Sequence, residues 1–76
     1  MIRLLLVDDH PVVRAGYRHL LEQAGDMRVV AQAADAEAGL ALYAEHAPDL
    51  AITDLSMPGS SGLELIRRLW ARFPHA

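Results

Sequence analysis

The run from Ile2 to Val7 restricts this chain more than any other feature: Leu4, Leu5, Leu6 and Val7 follow one another with no polar break and are then stopped by Asp8 and Asp9. A strand solvated on one face alternates apolar and polar residues, so an unbroken aliphatic run marks a strand covered on both faces, as in parallel sheets. The run is too short for a membrane span or a signal peptide core. Pro11 sits where a first-turn proline is tolerated, and Val13, Tyr17, Leu20, Leu21 and Ala24 recur at helical spacing until Gly25. A short second strand is expected at Val29, Val30 and Ala31. Asp35 is placed to cap a second helix, whose Ala36, Leu40, Tyr43 and Ala47 share a face and which must end before Pro48. The third aliphatic strand, Leu50-Ala51-Ile52, delivers Asp54 at its C-terminal end. Met57-Pro58-Gly59 fits a type II turn. Ser61-Gly62-Leu63-Glu64 has capping-box spacing, and Leu65, Ile66, Leu69 and Phe73 line one face of a third helix. The order β-α-β-α-β-α predicts a parallel α/β sheet with right-handed crossovers.

With 76 residues the chain forms at most one domain, and a core of this size supplies roughly 3–5 kcal/mol without staples. There are no cysteines, which removes disulfides and thiolate metal sites and suits a reducing cytoplasm. Net charge is -3 and the basic residues are all arginines, clustered only at Arg67-Arg68. That is a poor electrostatic footprint for nucleic acid. A soluble, cytoplasmic chain that touches neither membrane nor DNA is expected.

Ligands of open α/β sheets bind beyond the carboxyl ends of the strands, where strand order reverses. If the first strand lies between the second and third, that point separates strands one and three, and Asp8, Asp9 and Asp54 converge there. Two carboxylates about 5 Å apart repel by roughly 3 kcal/mol at an effective dielectric near 20, so three of them call for a cation or a proton. Magnesium suits such a site because it takes oxygen ligands, keeps waters and is completed by phosphoryl oxygens. Carboxylates are also competent nucleophiles toward phosphorus.

Val7-Asp8-Asp9-His10 and Thr53-Asp54-Leu55-Ser56-Met57-Pro58-Gly59, each after an aliphatic strand, resemble the receiver domain of two-component response regulators. The resemblance implies a flavodoxin-like, doubly wound fold with strand order 2-1-3, here limited to the first three of the family's five βα units. It implies that a sensor histidine kinase donates phosphate to Asp54, that Asp9 and Asp54 ligate Mg2+ directly, that Asp8 acts mainly through bound water, and that the Ser56 backbone carbonyl supplies a further ligand. Asp9-His10-Pro11-Val12-Val13-Arg14-Ala15-Gly16 further resembles the NarL/FixJ subfamily, in which the receiver controls a C-terminal helix-turn-helix module. Residues 1–76 are thus expected to be a partial receiver domain with no output domain of its own, bound to DNA only through that module, and not an enzyme. The family's strand-four Ser/Thr and strand-five lysine have no counterpart here.

Plainer readings compete. Asp8 and Asp9 could cap the first helix, and Asp54 with Met57-Pro58-Gly59 could be turn chemistry alone. His10 reads as a solvated cap outside the site, and Tyr17, Tyr43, Trp70 and Phe73 read as packing residues. No glycine-rich phosphate loop is present. An alternative function is a phosphorylation-incompetent interaction module that dimerises through the edge of its third strand. A haloacid-type phosphotransferase would want Asp-x-Asp rather than adjacent aspartates.

Overall fold

The computed structural model describes residues 1–54 and 62–73. Strands β1 (Ile2–Val7), β2 (Met27–Ala33) and β3 (Leu50–Thr53) alternate with helices α1 (Pro11–Gln23), α2 (Ala36–His46) and α3 (Gly62–Arg72). The strands are parallel in the order β2-β1-β3, as the sequence predicts. β1 is the central strand, and Leu4, Leu5, Leu6 and Val7 are each at most 1% exposed. Alternation sends Leu5 and Val7 to one face, against Ala33, Ala36, Leu65 and Leu69, and Leu4 and Leu6 to the other, against Val29 with Leu21, Met27 and Ile52 around it. Burying each such side chain contributes roughly 1.5–3 kcal/mol.

β2 is longer than its valine pair suggests and contains an irregularity. Leu4 pairs with Val29 and Leu5 with Ala31, which leaves Val30 as an extra residue. An uninterrupted strand would turn Val29 and Ala33 to the same face; the extra residue lets Val29 join Leu4 and Leu6 while Ala33 joins Leu5 and Val7. The Glu22 carboxylate of α1 accepts the Val29 N–H at 3.1 Å. That interaction, with Arg18 beside it, holds the Glu22 carboxyl below its ordinary range.

The helix ends follow local chemistry. Asp35 Oδ1 accepts the Ala38 N–H at 2.8 Å, the predicted cap. α2 closes at Ala47, which adopts a left-handed φ of 44° and donates to the Tyr43 carbonyl before Pro48 forbids continuation. Arg3 Nη1 donates to the Ala47 carbonyl at 3.0 Å, and the backbone N–H groups of Arg3 and Asp49 donate to Asp49 Oδ2 and the Arg3 carbonyl, each at 2.8 Å. These contacts set β3 beside β1. The Ser61 cap and the turn at Met57-Pro58-Gly59 lie outside the described residues.

Two expected packing roles are not met. No residue of α1 is buried: Val13, Tyr17 and Leu20 are 44%, 50% and 65% exposed. The helix reaches the sheet through Leu21, over β1 and β2, and its other apolar side chains project past that contact. Trp70 is 59% exposed, because it follows Leu69 on α3 and so lies on the flank of the buried stripe. Tyr43 and Phe73 do pack, with ring centroids 5.0 Å apart. Among the described residues no helix is long and apolar enough to cross a membrane.

α2 approaches the sheet most closely at Gly39, where an added Cβ would lie 3.1 Å from Val7 Cγ2 and 3.2 Å from Leu65 Cδ2. Both neighbours are fully buried and have nowhere to move. Gly39→Val is therefore expected to destabilise the fold by roughly 1–3 kcal/mol, read as a lower denaturation midpoint in urea. An unchanged midpoint would contradict the close approach.

Candidate functional site

β1 and β3 are adjacent and parallel, so their C-terminal ends open on the same edge of the sheet. The Asp54 N–H donates to the Val7 carbonyl at 2.9 Å and the Asp8 N–H to the Ala33 carbonyl at 3.0 Å, which carries both ladders one residue past the strands. Arg14, one turn into α1, donates from Nη1 to the Asp8 carbonyl at 2.7 Å. Its backbone N–H meets the His10 carbonyl. Main-chain bonds thus anchor Asp8 and Asp54 at the strand ends, with the Arg14 side chain on Asp8, and Asp8, Asp9, Asp54 and His10 each offer one ligand atom in a group that lies within 4.8 Å. The convergence expected from topology is present. The Ser56 carbonyl lies outside the described residues.

The four groups differ in burial. The Asp8 side chain is 8% exposed, Asp9 21% and Asp54 28%, while His10 is 61% exposed. His10 occupies the N-cap position of α1 but its side chain makes no cap hydrogen bond. Its imidazole instead turns to the acidic groups: Nδ1 is 2.9 Å from Asp8 Oδ1, 3.0 Å from Asp9 Oδ1 and 4.0 Å from Asp54 Oδ2. His10 does sit exposed at the cap position as read, but its exclusion from the site is corrected here. Its place directly after two aspartates, ahead of a helix-starting proline, was the available signal. Arg14 also escaped the sequence reading, although a basic residue one helical turn beyond an acidic strand end is well placed to hold it.

Asp8 Oδ1 accepts both the His10 N–H, at 2.8 Å, and His10 Nδ1. The backbone N–H bond is the largest influence on the Asp8 carboxyl, followed by the opposing effect of burial and then by His10 itself, and the balance lies below the ordinary 3.8. The acidic neighbours push His10 in the other direction, above its ordinary 6.5, chiefly through the Asp8 hydrogen bond and then through Asp9. Asp9 Oδ1 is buried without a hydrogen bond despite its 3.0 Å separation from Nδ1. One N–H serves one acceptor well, and Asp8 takes it. A buried carboxylate oxygen facing two other carboxylates and lacking a donor fits a hard cation, whose ligands are oxygens.

Beside the acidic groups lies a cleft of about 380 Å³, whose floor includes Leu6 and Ile52 and whose wall includes Val13 and Tyr17 of α1. Thr53 Oγ1, also at this edge, donates to the Asp54 carbonyl at 3.1 Å.

A model of the response regulator receiver domain family matches residues 4–76. The chain belongs to that family. Among curated relatives of this receiver chain, the nitrate/nitrite response regulator protein NarL of Escherichia coli is 44% identical over 66 residues, 87% of this chain and 31% of NarL. A two-component response regulator of the LuxR family from Aurantimonas superposes with a TM-score of 0.97 at 45% identity, covering all of this chain and 54% of the other. RcsB from Salmonella enterica, solved bound to promoter rprA in the presence of the phosphomimetic BeF3-, gives 0.88 at 35% identity, covering 99% and 39%. This receiver chain therefore spans about a third of the curated relative and about half of the most similar solved chain of these two.

The raised pKa of His10 has a signed consequence in the metal-free chain. Its protonation stabilises the fold in full below the unfolded value, near 6.5, and that contribution disappears as pH climbs through the raised folded value. Imidazole NMR titration is expected to place the His10 midpoint above 6.5 in chelator-treated protein and to bring it down in Asp8→Asn. A midpoint unaffected by Asp8→Asn would contradict the pairing.

Proposed function

We propose that this receiver domain accepts a phosphoryl group on the carboxylate of Asp54 from the phosphohistidine of a sensor histidine kinase, with Mg2+ held at the acidic edge of the sheet. The observation that carries this reading is the placement of Asp8, Asp9 and Asp54 on one edge with ligand atoms within 4.8 Å. Asp54 is the acceptor of choice because it leaves β3 on a main-chain bond to Val7 and is the most exposed of the three carboxylates. Asp9 and Asp54 would hold the ion directly, Asp8 through water, and the Ser56 carbonyl would add a ligand. The ion supplies charge neutralisation for a phosphoryl group arriving among carboxylates. The chain's own residues orient the acceptor and keep its neighbours rigid; Arg14 and the His10 N–H fix Asp8 for that purpose.

The output is a proposal of the same kind. The promoter-bound RcsB structure and the NarL likeness support a role in transcription control, exerted in a longer cytoplasmic protein through a DNA-binding module rather than through residues 1–76. The chain acts in this reading as a switchable acceptor and not as an enzyme.

Incubation with acetyl phosphate and Mg2+ should give a single acid-stable, hydroxylamine-labile phosphoryl adduct by intact mass, absent in Asp54→Asn. No adduct on the parent chain, or an adduct that survives Asp54→Asn, would overturn the assignment.

A further inference from the structure

We propose that the His10 imidazole occupies the cation's place among the acidic oxygens when no ion is bound, and that a cation must displace it to bind. This rests on the reading of the acidic edge as an Mg2+ site and adds to it a named competitor from within the chain.

Three observations carry the inference. First, Nδ1 faces an oxygen of each carboxylate, at 2.9 Å from Asp8, 3.0 Å from Asp9 and 4.0 Å from Asp54. The oxygens that would surround an ion are gathered around this nitrogen instead. Second, carboxylates only accept hydrogen bonds, so Nδ1 carries a proton toward them and presents no lone pair to a cation. In this orientation His10 cannot be a ligand; it occupies the cation's side of the cluster. Third, the arrangement is incomplete, since Asp9 Oδ1 remains buried without a hydrogen bond. An ion can engage oxygens of Asp8, Asp9 and Asp54 at once, whereas one N–H satisfies only Asp8. Displacement therefore exchanges one hydrogen bond for a fuller set of contacts.

The route out is open. The His10 side chain is 61% exposed and makes no helix-capping bond, so rotation about its side-chain torsions moves the ring into solvent without disturbing α1. The backbone N–H bond from His10 to Asp8 Oδ1 belongs to the main chain and is kept in His10→Ala and His10→Gln. His10 thus sets a threshold for metal affinity while leaving the carboxylate scaffold in place.

The test is Mg2+ binding by calorimetry at one fixed pH, on the parent chain, His10→Ala and His10→Gln, with circular dichroism confirming that each is folded. Loss of a partly exposed hydrogen-bonded competitor is expected to tighten the Mg2+ dissociation constant by about 3- to 10-fold in His10→Ala. NMR of the parent chain supplies a second readout: Mg2+ should move the His10 ring resonances toward those of a solvent-exposed histidine. Equal or weaker binding by both variants, with Mg2+ still bound by the parent, would overturn the displacement and leave the metal reading intact. Absence of binding in all three proteins would overturn both. Weaker binding in His10→Ala, with His10 ring resonances that move away from the exposed position, would make the imidazole a ligand instead.

Discussion

The structure depends on the burial of β1 on both faces. Four consecutive aliphatic residues can avoid water only if elements cover the sheet above and below and strands flank it on each side. α2 and α3 answer for Leu5 and Val7, α1 and β2 for Leu4 and Leu6, and the extra residue at Val30 lets one strand serve both faces. The same constraint fixes where the chain must become polar. Asp8 is the first residue after the buried run, so its carboxylate stands at the rim of the core with only 8% of its side chain exposed.

That placement creates an electrostatic problem whose solution is the chemistry of the domain. Parallel pairing brings Asp54 to the same rim as Asp8 and Asp9. Repulsion among three carboxylates at short range costs several kcal/mol, and the protein offsets it in part with the His10 imidazole, the Arg14 side chain on the Asp8 carbonyl, and a backbone N–H. None of these donates a hydrogen bond to the buried Asp9 Oδ1, although His10 Nδ1 lies 3.0 Å from it. An acidic cluster with a buried oxygen that lacks a donor is well suited to a small divalent cation.

Much of this was legible in the sequence because the signals were local. The limits of β1 follow from its uninterrupted run, the α2 cap from Asp35 and its end from Pro48, and the meeting of the three aspartates from strand order alone. What was not legible was relational. Val29-Val30-Ala31 carries no mark of the irregular register, since a bulge in a valine-rich strand costs no distinctive residue. Helical spacing showed which side of α1 is apolar but not that the helix meets the sheet mainly through Leu21. His10 sits exposed at the helix start as a lone histidine there usually does; its contact with the site follows from the two carboxylates that the turn of the backbone brings within reach of one ring nitrogen.

The central claim is that the ends of β1 and β3 form one cation site. Trace Mn2+ added to isotope-labelled protein tests it directly, because the ion's unpaired electrons broaden only nearby amide resonances. The account predicts that the resonances of Asp8, Asp9 and His10 fade together with those of Thr53 and Asp54, and that Mg2+ in excess restores both groups at once. Broadening confined to one strand end, or spread evenly over the acidic surface, would contradict it.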